Sequence, residues 1–170
     1  MRRVLDGLYA ACGALGAIAL AAIAVLVLAQ SIGRLLGVVV PSANELAGFC
    51  VAASAFLALA PALRRGAHIR VTLLTTHLPA RFHRAMEAWC LGAAAVMSGY
   101  AAYWMVDLVV GSYRYGDVSP GLLAVPLWIP QTAMALGLIV FTISLLDILV
   151  DVLRGREPLY EREQAEQEEL

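Results

Sequence analysis

Few side chains in this sequence could do redox, haem or metal chemistry, and their spacing argues against all three. The cysteines form no C-x-x-C pair, and each lies in a different apolar stretch: Cys12, Cys50 and Cys90. Isolated cysteines among apolar residues act as small apolar side chains. The histidines gather in one polar segment: His68, His77 and His83. Haem ligation in a helical protein needs histidines that project into the core, so the sequence predicts no catalytic, cofactor-binding or metal-binding residue.

Glu45 is the carboxylate that most resembles a functional group. Ser42 and Glu45 have the S-x-x-E spacing of a capping box, in which each side chain bonds a backbone N–H of the other at a helix start. That role, with the attraction of a carboxylate to the positive end of the helix dipole, would explain Glu45 completely. The alternative is an ion pair or hydrogen bond to a partner subunit. Asp147 and Asp151 lie one helical turn apart and could pair with arginines across the protein, or Asp151 with Arg154.

Long apolar stretches must position these residues. Of the 170 residues, 61% are hydrophobic and 15% are charged, which is too apolar for a soluble domain. Four stretches carry no charge: 7–33, 46–63, 88–106 and 118–146. Each has at least the ~18 residues that a helix needs to cross the hydrocarbon core. The sequence therefore predicts an all-α membrane protein with four transmembrane helices, over about 7–33, 44–64, 80–110 and 127–150.

Small residues at fourfold spacing predict where these helices pack closely. Such residues let helix backbones approach each other where lipid supplies no hydrophobic driving force. The first span carries such a stripe at Gly13, Ala17 and Ala21, and the second carries one at Gly48, Ala52 and Ala60 that Phe56 interrupts.

The remainder of the chain is short and polar. Residues 1–154 form one four-helix membrane domain, because four spans leave no room for a second. Between the second and third helices, arginines alternate with apolar residues, which suits a short segment in the membrane interface. Residues 155–170 are polar and acidic, which predicts a cytoplasmic tail. The stretch 7–33 is longer than the ~7–15-residue core of a signal peptide, which favours an uncleaved first helix over cleavage near Ala29.

Arginines predict the orientation in the membrane. The sequence has twelve arginines and no lysine. Ten of the arginines fall on one side of the membrane in the predicted four-span topology: Arg2, Arg3, Arg64, Arg65, Arg70, Arg81, Arg84, Arg154, Arg156 and Arg162. Only Arg34 and Arg114 fall on the other. The positive-inside rule places both termini and the loop between the second and third spans in the cytoplasm. The arginines of that loop, with Arg64 and Arg65 at its start, are expected to bind anionic lipids, with partner contact as the alternative.

The middle of every predicted span lacks an acid, a base or a histidine. A carrier that couples transport to protons or sodium by itself needs such a group, or broken helices, near the midplane. The chain also has no basic surface for nucleic acid. We therefore expect a passive component of a larger assembly.

Short motifs at the span ends point to one family. Arg34 precedes the second span, Glu45 opens it, and an H-I-x-V-x-x-L segment with a proline follows it. The residues concerned are Arg34, Glu45, His68, Ile69, Val71, Leu74, Leu78, Pro79, Ser119, Pro120, Pro126, Leu127 and Trp128. This pattern resembles the small membrane subunit of tripartite ATP-independent periplasmic (TRAP) transporters, the DctQ type.

The resemblance implies a small subunit of the bacterial inner membrane that serves as a scaffold for a large membrane subunit. The large subunit would carry the substrate and sodium sites, and a periplasmic binding protein would deliver an organic acid such as a dicarboxylate or sugar acid. The candidate partner or structural residues are Arg34, Glu45, Arg64, Arg65, His68 and Trp128. Two alternatives stay open: a haem- or quinone-linked redox subunit, and a small exporter that works alone.

Overall fold

The structure, a computed structural model, describes residues 2–38, 40–64 and 80–154, with side chains described from residue 5 and, after the gap, from residue 85. Four α-helices make up almost all of this part of the chain. They are α1 (Arg2–Leu35), α2 (Ala43–Arg64), α3 (Ala80–Tyr115) and α4 (Trp128–Leu153).

All four helices are long and apolar enough to cross a membrane, which confirms the prediction of an all-α protein with four spans. With 34 and 36 residues, α1 and α3 reach about 51 and 54 Å, well beyond a hydrocarbon core of about 30 Å. The predicted first span, 7–33, is shorter than α1 because it stops at the flanking charges of Asp6 and Arg34, and the predicted third span, 80–110, ends five residues before α3 does. The interfacial segment between α2 and α3 and the tail 155–170 lie outside the described residues.

The helices stand in an open row rather than in a closed bundle. Helix α1 packs along α2, α2 packs on α4, and α4 packs on α3, while α1 meets α4 at only a few positions. The order across the row is therefore α1, α2, α4, α3. Both broad sides of such a row face outward, and large apolar side chains line them on α1 and α3.

Two glycines allow the closest contacts along the row. At α1 and α2, Gly16 is buried, and a Cβ added there would lie 3.5 Å from the Ser54 carbonyl oxygen. At α2 and α4 the approach is closer, since a Cβ at Gly137 would lie only 2.5 Å from the Phe56 carbonyl group. Only a residue without a side chain fits at 137, because the atoms it would meet belong to the backbone.

A polar bridge joins α3 to α4 about half-way along the two helices. The Thr142 hydroxyl lies 3.0 Å from the Ser98 hydroxyl and 2.8 Å from the Leu138 carbonyl oxygen. Ser98 is buried, and its own hydroxyl lies 3.2 Å from the Ala95 carbonyl oxygen. Polar side chains that bond each other in this way hold helices together inside a membrane.

Glycines in the left-handed conformation end α1 and α3. Gly37 has φ of 70° and Gly116 has φ of 68°. After α1, the Val38 N–H donates to the Gly33 carbonyl at 2.8 Å, and the Gly37 N–H donates to the Arg34 carbonyl at 3.3 Å. This is the Schellman arrangement, which satisfies the last carbonyls of a helix and turns the chain sharply. The α1–α2 loop and the α3–α4 loop therefore each leave their helix in a defined direction.

Candidate functional site

The loop between α3 and α4 folds back on itself as a tight hairpin. The Ser119 N–H donates to the Val125 carbonyl at 2.9 Å, and the Leu127 N–H donates to the Asp117 carbonyl at 3.0 Å. The buried Ser119 hydroxyl also accepts from the Val125 N–H at 3.2 Å. The tip of the hairpin, including Gly121, therefore has a fixed position. We call the end of the row that carries this hairpin and the α1–α2 loop the loop end.

Ser42 and Glu45 bind the hairpin to the start of α2. The Ser42 hydroxyl accepts a hydrogen bond from the Leu123 N–H at 3.3 Å, and the Glu45 carboxylate packs directly on Gly121, in the space that a Cβ at position 121 would occupy. Ser42 also has φ of 53°, unlike the extended backbone typical of an N-cap residue. The capping-box prediction therefore differs from the structure, because both side chains contact a loop far along the chain.

An open cavity of about 390 Å³ lies beside the Glu45 carboxylate. Its lining comes from α1, the α1–α2 loop, the start of α2 and the hairpin tip: Gln30, Val40, Ser42, Ala43, Asn44, Glu45, Pro120, Gly121 and Leu122. The Oε2 atom of Glu45 is buried, and no described residue donates a hydrogen bond to it. We call this cavity the Glu45 pocket.

The two arginines of the loop end do not neutralise Glu45. Arg34 and Arg114 are both exposed, and within the described ranges neither forms an ion pair with its carboxylate. The Arg34 carbonyl accepts a hydrogen bond from the Gly37 N–H. The Arg34 backbone therefore caps the end of α1, while its side chain is exposed. The sequence could not show that, among the described residues, neither arginine pairs with this carboxylate.

Arg64 joins α2 to α1 at the opposite end of the row. Its Nη1 atom lies 2.7 Å from the Asp6 Oδ1 atom, with the two side chains 17% and 53% exposed. The Arg64 guanidinium also lies 4.6 Å from the centre of the Tyr9 ring, which is buried. Neither Asp6 nor Tyr9 is a predicted partner of Arg64, although the start of α1 and the end of α2 must lie on one side of the membrane.

Two hydroxyls, one on α1 and one on α4, are buried without a partner among the described residues. The Tyr9 hydroxyl on α1 and the Ser144 hydroxyl on α4 both lack a hydrogen-bond partner of acceptable geometry among the described residues. Tyr9 packs in one cluster with Cys12, Leu57 and Val140. The cluster ties three helices together next to the ion pair, and Arg64 therefore has a packing role besides its charge.

Trp128 marks the start of α4 at the loop end. Its ring meets the Tyr113 ring edge to face, with centres 5.9 Å apart, and it is 37% exposed. Aromatic side chains of this kind collect at membrane–water interfaces. The structure thus brings Glu45 and Trp128 to one end and Arg64 to the other. Arg65 and His68 lie outside the described residues, so their roles stay predictions.

Residues 23–155 match a family model described as tripartite ATP-independent periplasmic transporters, DctQ component. The chain belongs to the DctQ family. This match covers more than three quarters of the sequence and confirms the resemblance seen in the short motifs. The comparison with curated proteins gives no match.

Membership of the DctQ family and the four apolar helices make this chain a multi-pass membrane protein and a small membrane subunit of a TRAP transporter. The family is a family of transporter components rather than of enzymes. Within the described ranges, no three histidine, cysteine, aspartate or glutamate side chains converge as metal ligands would. The geometry of this DctQ-family chain shows helices packed in a row, with the Glu45 pocket at the loop end and the Arg64–Asp6 ion pair at the other.

Proposed function

We propose that this chain is the fixed scaffold of the large membrane subunit in sodium-coupled, binding-protein-dependent uptake of an organic acid such as a dicarboxylate or sugar acid. The family match carries the proposal. On this view the large subunit holds the substrate and sodium sites, and its transport domain moves against the scaffold. The periplasmic binding protein reaches this chain only through the complex.

The distribution of charge supports a scaffold rather than a carrier. Each of the four stretches 7–33, 46–63, 88–106 and 118–146 is uncharged, so no span brings an ionisable side chain to the bilayer midplane. Ion coupling normally needs such a side chain or unwound backbone there. All four described spans are instead continuous helices, which leaves the coupling chemistry to the neighbouring subunit.

The open row supports a large interface with that subunit. In the most apolar window of each helix, only 11% of the residues of α1 and of α2 are buried inside this chain, against 39% for α4. A row of helices exposes two broad sides, and the large membrane subunit can cover one of them while lipid covers the other. Packing in lipid depends on close van der Waals contact, so a rigid row is a suitable support.

Assembly with the large subunit tests the proposal. The tagged chain is expressed together with its large membrane subunit and purified in mild detergent. A scaffold should recover the large subunit in a stable ratio. A chain that elutes alone under conditions in which both proteins are expressed and folded would contradict the proposal.

We place the chain in the bacterial inner membrane with both termini in the cytoplasm, because ten arginines of the sequence lie on that side and two on the other. A fluorescent protein that folds only in the cytoplasm, fused after Leu170, is therefore expected to be bright. Alkaline phosphatase fused at the same position should be inactive. The reverse pair of results would invert the orientation.

A further inference from the structure

We propose that the Glu45 pocket receives a lysine or arginine side chain of the large membrane subunit, which pairs with the Glu45 carboxylate. The inference rests on the proposed function and adds the contact by which the two subunits recognise each other at the loop end. It starts from the Glu45 Oε2 atom, which is buried at the loop end without a hydrogen-bond partner among the described residues.

The carboxylate is held in place, and its charge is not balanced within the described residues. Gly121 of the hairpin supports it from one side, and the hydrogen bond from the Leu123 N–H to the Ser42 hydroxyl fixes the hairpin against α2. Its Oε2 atom is buried without a donor among these residues. A buried carboxylate oxygen is costly to leave without a charged or hydrogen-bonding partner. The Glu45 carboxylate is therefore available to pair with a cationic side chain of another protein.

The rest of the pocket suits a basic side chain. The amide side chains of Gln30 and Asn44 line it beside the carboxylate, and their oxygen atoms can accept hydrogen bonds from further N–H groups. A guanidinium carries five N–H donors and an ammonium three, so either can bond the carboxylate and an amide oxygen together. The cavity of about 390 Å³ is open to the outside, which lets a side chain of another protein enter.

A protein side chain fits better than a lipid headgroup. A lipid ammonium group is linked to a phosphate, which would bring a negative charge close to Glu45. A lysine or arginine brings no such charge. The pocket also lies directly before the uncharged stretch 46–63, where a subunit packed along the row would meet this chain.

The test uses the full chain co-expressed with its large membrane subunit. Glu45→Gln keeps the size of the side chain and removes its charge. We expect it to lower the recovery of the large subunit about tenfold or more, since truncating one side of a desolvated charge pair weakens binding by at least that factor. The matched control is Asp117→Asn, which removes an exposed carboxylate from the same end and should leave recovery unchanged.

Site-specific crosslinking adds a readout that does not depend on overall affinity. A photoreactive amino acid replaces Leu122, which lines the pocket and is 83% exposed. It should crosslink to the large subunit when Glu45 is present and much less after Glu45→Gln. Wild-type recovery and crosslinking in the Glu45→Gln protein would overturn the inference and leave the proposed function intact.

Two other outcomes would also overturn it. If the wild-type chain does not recover the large subunit at all, the proposed function fails and the inference fails with it. If mass spectrometry of the purified chain alone finds phosphatidylethanolamine bound to wild type but not to Glu45→Gln, and Leu122 crosslinks to lipid only, the pocket belongs to a lipid ammonium group.

Discussion

Replacing Gly137 with alanine is expected to separate α2 from α4 and to lower the free energy of unfolding by about 1–3 kcal/mol, the usual cost of overpacking a tight core. The loss of stability is expected because the added Cβ would meet backbone atoms of α2. A Cβ at 137 would lie 2.5 Å from the carbonyl carbon and oxygen of Phe56 and 2.9 Å from the Leu57 nitrogen, and none of these atoms can turn aside. Gly137→Leu should prevent the two helices from packing.

The stability of the purified chain in detergent measures this effect. Gly92→Ala is the matched control, because Gly92 also lies within a helix but has nothing within 4 Å of an added Cβ. Alanine is the better helix former, so this control should be neutral or slightly stabilising. Equal stability of Gly137→Ala and Gly92→Ala would show that α2 and α4 do not meet as described.

Replacing Arg64 with glutamine is expected to loosen α1 from α2 and to cost about 1–2 kcal/mol, as a sum of a partly exposed ion pair and a cation–π contact. The ion pair alone contributes little, because the Asp6 side chain is 53% exposed. The larger share comes from the Arg64 guanidinium over the buried Tyr9 ring, at 4.6 Å from its centre. Loss of that contact uncovers Tyr9 at the edge of the row.

A double-mutant cycle separates the two contributions. Asp6→Asn should cost less than Arg64→Gln, and the double variant should be about as unstable as Arg64→Gln alone. Thermal unfolding in detergent at low and high salt provides the readout, with the Asp6 contribution shrinking as salt rises. Two fully additive losses would mean that Arg64 and Asp6 do not interact.

The helices themselves could be predicted because charge marks where a span must end. Glu45 and Arg64 bracket α2, and the structure begins that helix at Ala43 and ends it at Arg64. Helix α4 begins at Trp128, close to the predicted start. Charge does not mark every helix end, however, since α3 continues past Asp107 and Arg114 to Tyr115.

The order of the helices could not be predicted from the same pattern. In lipid both the packed and the exposed faces of a helix are apolar, so periodicity does not tell them apart. The stripe in the first span shows this, since Ala17 and Ala21 are exposed while Gly16, outside the stripe, is buried against α2. Gly48 of the second stripe also faces open space.

The two polar ends could be predicted only in part. The sequence predicts Glu45 as a candidate partner or structural residue, but it does not predict that Glu45 packs on Gly121, which is far away in the sequence. Such a contact depends on how the hairpin folds back and has no local signal. The Arg64–Asp6 pair did carry a signal, because antiparallel neighbouring helices bring the start of one beside the end of the next.

Sodium-driven uptake in proteoliposomes tests the central claim most directly. Vesicles contain the large membrane subunit with or without this chain, and the periplasmic binding protein loaded with its organic acid is added outside. We predict accumulation only when both membrane subunits are present, and none when this chain is reconstituted alone under the same gradient. Full uptake by the large subunit without this chain, or accumulation driven by this chain alone, would contradict the account.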